Sequence, residues 1–223
     1  MIKWHLSAAR LHLQAFYLVD EASTEGYSDR IMALYQTASS LIDLSHSLNT
    51  PESGSSFDHC PFFCHQVFVC AAFIVLKILS NGYFSLLFDV AAGRRLLDSS
   101  IAALRGVSVA NNDLPARLGD VVAFFCTLDD PTVLGGATAD QLRLREVRNR
   151  LSMSVVYDSL WIWRRHFQVN NSHVGGAHNT TTGSPASQAR LAFGYDDGQG
   201  HYPLGGSHQG PGFAGLLNLD WPF

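Results

Sequence analysis

The chain has 223 residues, 47% of them hydrophobic, with a net charge of −4 and a pI near 6.2. That length fits one domain, or one domain plus a tail, with enough apolar residues for a sizeable core. The mildly acidic balance excludes a broad basic footprint for DNA or an acidic membrane, and the four cysteines, none in a C-x-x-C pair, read as reduced core thiols of a cytosolic or nuclear protein.

Residues 3–20 read as the first helix. Lys3, Ser7, Arg10, Gln14 and Tyr17 recur at three- and four-residue steps and form one polar stripe. The remaining faces carry Trp4, Leu6, Leu11, Leu13, Phe16 and Leu18, so the helix is expected to be mostly buried. It is in register from Met1 without a capping residue, and the domain is expected to be incomplete at its N-terminus. Residues 29–48 follow the i, i+3, i+4, i+7 pattern of an amphipathic helix through Ile31, Leu34, Tyr35, Ala38, Leu41 and Ile42. Residues 49–58 are a loop by composition.

The run CPFFCHQVFVCAAFIVLKILSN, residues 60–81, contains no glycine, and its one proline, Pro61, precedes the apolar stretch. Between Phe62 and Leu79 only His65, Gln66 and Lys77 are strongly polar. A helix apolar on nearly every side has to be wrapped by other helices or by lipid. Its length is at the lower edge for a membrane span, and its three polar groups would be expensive in lipid, so a protein core is expected and no membrane. Asn81-Gly82 closes it as a turn.

Residues 83–105 read as another amphipathic helix that Gly106 should stop, with Gly93 inside it as a mark of close packing. Residues 114–128 form a shorter helix capped by Asn112 or Asp113, with Pro115 in its first turn. After the loop 129–137, residues 140–168 read as one long helix, basic in its first half and aromatic in its second. The expectation is an all-α bundle of about six helices around a buried central helix, spanning residues 1–169. Residues 170–223 hold more than half of the 19 glycines and a single basic residue, Arg190, which reads as a disordered tail.

His59, Cys60, Cys64, His65 and Cys70 resemble a metal-ligand cluster, but one apolar helix carries nearly all of them, and buried thiols are the plainer reading. No nucleophile elbow, P-loop, dinucleotide fingerprint or zincin motif is present, so no enzyme is expected and no cofactor in this chain. Gln66 and Lys77 lie almost three helical turns apart on one stripe of the central helix. Lys77 therefore needs an acidic partner, a route by which it snorkels to water, or, with Gln66, a place lining a pocket for a small anionic effector. Arg143, Arg145, Arg148 and Arg150 read as a solvated helix face, interrupted by Glu146. At the C-terminus, Leu217, Leu219, Asp220, Trp221 and Phe223 interleave acidic and hydrophobic groups after a glycine-rich segment, the pattern either of a short activation motif for a coactivator groove or of a segment that folds back into a groove of the helical domain.

Three stretches carry a resemblance to a known family. They are RLHLQAFYLVDEASTEGYSDRIMALYQTASSLI (residues 10–42), the central CPFFCHQVFVCAAFIVLKILSN, and AAGRRLLDSSIAAL (residues 91–104). Together they resemble the C-terminal part of the regulatory domain of fungal binuclear zinc-cluster transcription factors, nearest the branch of the leucine-biosynthesis regulator. The resemblance implies an effector-responsive helical domain, a nuclear location, and a homodimer in the full-length factor. The family's cysteine-rich DNA-binding module has no counterpart here, so zinc is expected only in that missing module and this chain should not bind DNA directly. The expected function is a partial transcriptional regulator; the alternative is a helical scaffold or partner-binding protein without a transcriptional role.

Overall fold

The computed structural model describes residues 2–48, 60–108, 113–128, 130, 132–144 and 151–174. The chain divides into two units, Met1–Gly176 and Ala177–Phe223. Only the first contains described residues, and the expected tail and its motif (Leu217, Leu219, Asp220, Trp221 and Phe223) lie outside them. Among the described residues the fold is all-α, with no strand.

The helices are α1 (Ile2–Gln14), α2 (Tyr27–Leu48), α3 (Phe62–Leu79), α4 (Val90–Val107), α5 (Leu114–Cys126), the short α6 (Thr132–Gly135) and α7 (Ser154–Val174). The central position of α3 follows from its composition. Every residue from Val67 to Leu79 is buried, and α2, α4, α5, α6 and α7 all pack against it. By length and composition α3 could cross a membrane, but 83% of it is buried inside the protein. Pro61 caps its start with extended backbone, where a missing N–H costs nothing.

Local chemistry sets most of the boundaries. Gly26 adopts φ 71°, a left-handed conformation that suits glycine, and α2 begins at the next residue. The expected helix 83–105 is broken in two. A 3-10 turn at Phe84–Leu87 is followed by α4, because the Asp89 carboxylate accepts from the Ala92 N–H at 3.0 Å and caps a new helix. Gly106 does not stop α4, which runs on to Val107. Asp113 caps α5 in the same way, accepting from the Ala116 N–H at 3.2 Å.

The expected helix 140–168 is also corrected. Residues Ala139–Leu142 form a 3-10 turn closed by reciprocal Thr138 and Gln141 capping bonds, and Arg143 is extended at ψ 140°. Leu142 and Leu144 are buried, and the Leu144 N–H donates to the Leu18 carbonyl at 2.8 Å. That docking onto the end of the first helical segment withdraws the chain from helical geometry. A 3-10 turn at Leu151–Met153 leads into α7, which runs from Ser154 to Val174, past the expected boundary at 169.

The first segment corrects the expectation of a mostly buried helix. Trp4, Ala8, Leu11, Ala15 and Leu18 form its buried face, which packs on α2; the Trp4 indole N–H donates to Ser45 Oγ at 2.9 Å. Gln14, assigned to the polar stripe, is buried. Leu6 and Leu13, assigned to the core, are each 70% exposed. The helix carries two apolar stripes, and the described fold covers one.

Glycine permits two close approaches. A Cβ on Gly93 would meet the Leu79 side chain and lie 2.8 Å from Tyr35 Oη, both ends of side chains that can turn aside. A Cβ on Gly135 would lie 2.6 Å from the Lys77 carbonyl oxygen and 2.5 Å from the Ser80 carbonyl carbon, which are backbone atoms inside the core. Gly135→Ala should therefore cost about 2–3 kcal/mol, the upper range for overpacking. Gly93→Ala should cost less than ~1 kcal/mol, because alanine's better helix propensity offsets part of the clash. Urea denaturation of both variants checks the order, and equal midpoints would refute the backbone approach at Gly135.

Candidate functional site

Lys77 lies in the last turn of α3 and is 1% exposed. A lone ammonium at that depth would be prohibitively costly. The chain answers with Asp158, in the first half of α7 and 81 residues away in sequence. Lys77 Nζ donates to Asp158 Oδ2 at 2.7 Å and to the Leu134 carbonyl at 3.4 Å. Both side chains of the ion pair are almost fully enclosed, at 1% and 2% exposure. This corrects the snorkelling expectation, since the head group is turned inward and not toward water. It also separates Lys77 from Gln66. Gln66 is half-buried near the start of α3, roughly 16 Å along the axis at 1.5 Å per residue. The two residues expected to share an effector pocket thus occupy different environments, and the cation is committed to Asp158.

One turn beyond Lys77 sits Asn81, fully buried, whose role the sequence signalled only as half of an Asn-Gly turn. Its Nδ2 donates to the carbonyls of Gly135 at 2.7 Å and Thr138 at 2.8 Å. Its Oδ1 accepts from the N–H groups of Tyr83 at 3.1 Å and Phe84 at 3.0 Å. All four hydrogen-bonding positions of the amide are used. The Gly82 N–H adds a bond to the Gly136 carbonyl at 2.9 Å. Lys77 and Asn81 together fasten the end of α3 to the 132–138 segment.

That segment also borders a cleft of about 730 Å3, open to solvent, lined among others by Val19, Thr132, Gly136, Asp140, Gln141 and Arg143. Its polar groups are largely engaged within the fold. Gln141 Oε1 accepts from the Ala137 N–H at 2.6 Å, and Arg143 faces Glu21 at 3.7 Å. Nearby, the Tyr27 phenol is pushed up to about 12 by burial, reinforced by Asp20 and Asp140 and opposed by Arg143, so it stays protonated and cannot act as a base.

Two serine–histidine contacts escaped the sequence reading, because each joins distant segments. His46 Nε2 lies 3.1 Å from Ser99 Oγ, and His12 Nδ1 lies 2.6 Å from Ser152 Oγ. Ser99 Oγ also lies 2.7 Å from the Leu96 carbonyl, so its one hydroxyl proton has two competing acceptors when His46 Nε2 is unprotonated. Burial holds both imidazoles below the usual histidine range.

The cysteines are placed for packing. Cys70 donates to the Ser152 carbonyl at 3.0 Å, and burial pushes its thiol up to about 12. Burial also raises Cys64, with a further contribution from Cys60, and Cys126, with a further contribution from Asp98, each to about 11. Among the described residues no group of three or more histidine, cysteine or acidic side chains could hold a metal ion. His59 and Arg145 to Arg150 lie outside the described residues.

Removing one partner of the ion pair should be severe. Lys77→Met should cost about 3–5 kcal/mol, because it strands Asp158 in the interior. Lys77→Met combined with Asp158→Leu should recover most of that loss. Chemical denaturation of both variants checks this, and a double variant no more stable than the single one would refute it. The Cys70 thiol should be almost inert in the native chain. At pH 8 a group titrating at about 12 is ionised roughly once in ten thousand molecules, so iodoacetamide should label Cys70 orders of magnitude faster after unfolding. Mass spectrometry of timed alkylation reads the difference.

No protein-family model, no curated protein and no solved structure matches the chain.

Proposed function

We propose that the chain is a regulatory module that works by engaging a protein partner. The observation that carries this is the outer face of α1, where Ile2, Leu6 and Leu13 are 86%, 70% and 70% exposed on a helix whose opposite face is already buried. A core helix needs one apolar stripe. A second one, aligned along the outside, marks an interaction surface. Catalysis receives no comparable support, because Lys77 is committed to Asp158 and burial holds the Cys64, Cys70 and Cys126 thiols protonated.

The resemblance supports a more specific form of this reading. In that form the chain is part of a fungal zinc-cluster transcriptional regulator, acts in the nucleus, and leaves zinc and DNA contact to a module outside this chain. The three stretches that carry the resemblance belong to neighbouring helices, with α2 and α4 both packed on α3. Leu217, Leu219, Asp220, Trp221 and Phe223 would then serve as a coactivator contact. A small anionic effector is the weaker part of this reading, since the cation expected to hold it is paired with Asp158.

Fusing the full chain to a heterologous DNA-binding domain tests the proposal. A reporter should respond severalfold, and Leu6→Glu with Leu13→Glu should return it to baseline without lowering the melting temperature. Alanine at Leu217, Leu219, Trp221 and Phe223 reads the C-terminal motif separately. An inert but folded fusion refutes the transcriptional form, and full activity in the Leu6, Leu13 double variant refutes the role of α1.

A further inference from the structure

The outer stripe of the first segment has a period and a charge pattern that define its occupant. Ile2, Leu6, Ala9, Leu13 and Phe16 recur in steps of four and three, the spacing of a helix-pairing seam. All five are exposed. The stripe is about 21 Å long at 1.5 Å per residue, which matches roughly four turns of a facing helix. Lys3 and Arg10 follow one border; His5 and His12 follow the other. Lys3, His5 and Arg10 are exposed. His12 is half-buried, held by Ser152 and lying 5.9 Å from the Phe63 ring.

This face opposes the charge of the whole chain. The chain carries −4, yet no aspartate or glutamate occurs between Met1 and Val19. The first acids after it are already committed, Asp20 to Arg30 at 3.1 Å and Glu21 to Arg143 at 3.7 Å. Border positions of a helix-pairing seam choose partners by charge. A second copy of this chain paired antiparallel would bring the Lys3–Arg10 border against itself, and one paired parallel would offer that border no acid.

We infer that the outer face of α1 docks an acidic amphipathic helix, with leucine-like residues at four- and three-residue steps and glutamate or aspartate along the border that meets Lys3 and Arg10. The inference rests on the partner-binding reading and names its partner's chemistry. The apolar seam supplies the contact, and Lys3 and Arg10 supply the selection against neutral or basic helices.

The probe is a pair of fluorescent four-turn peptides with the same leucine seam, one bordered by glutamate and one by lysine, titrated into the full chain. The glutamate peptide should bind at least tenfold more tightly, and the difference should shrink in high salt. Leu6→Glu with Leu13→Glu should abolish binding at an unchanged melting temperature. Lys3→Glu with Arg10→Glu should reverse the preference between peptides. Equal binding of the two peptides, or none, overturns the inference. Two further outcomes also overturn it. A concentration-dependent dimer that Leu6→Glu disrupts would make a second copy the occupant. Binding that appears only after deletion of residues 177–223 would make this chain's own C-terminal region the occupant. A failed titration beside a reporter that still requires Leu6 and Leu13 discards the acidic helix and keeps the partner-binding reading.

Discussion

The fold depends on hiding one charge. Lys77 sits where α3 is completely enclosed, and its ammonium is tolerable only because Asp158 and the Leu134 carbonyl meet it there. That requirement fixes α3 against α7 and against the short α6. A slide of either long helix by one turn would move its charge about 5 Å and strand it. Leucine and valine contacts could tolerate such a slide far better, since hydrophobic packing is not directional. In this protein the ion pair has a clear role in register, whatever its net worth in stability. Asn81 works to the same end one turn later, with an amide whose every bond goes to backbone of the neighbouring segments. Gly135 completes the arrangement by letting α6 lie directly on the backbone of α3.

With α3 fixed, the outer helices divide their surfaces differently. Only the inner stripe of α1 meets α2, through Trp4, Ala8 and Leu11. The outer stripe keeps the same periodicity with no described element against it. Such a surface is costly in water unless a contact outside the described fold covers it. Its Lys3–Arg10 border stands out in an acidic chain, and it separates the stripe from scattered surface leucines, which need no explanation.

The buried polar side chains join helices that lie far apart in sequence. Each serine–histidine contact joins segments distant in sequence, and at Ser99 the Leu96 carbonyl competes with His46 for the hydroxyl proton. Cys70 spends its proton on a backbone carbonyl of the segment leading into α7. These groups act as ties between helices, in the same way as the Trp4 bond to Ser45.

Hydrophobic period and turn chemistry were enough to give the sequence an all-α reading, with α3 at the centre and the Asp113 cap in place. Those features are local, because apolar composition or a cap acts within one or two turns. Three matters were decided only in three dimensions. Asp89 caps a new helix inside one continuous pattern, and the docking of Leu144 on Leu18 ends the Ala139–Leu142 turn inside another, since capping and tertiary contacts compete with propensity. The sequence showed that Lys77 needed a partner, but not that Asp158 was the one, because a pairing across 81 residues leaves no periodic trace. Finally, α1 presents two apolar stripes of equal period, and composition cannot say which faces inward. That choice belongs to α2, whose surface accepts Trp4 and Leu11 and leaves Leu6 and Leu13 outside.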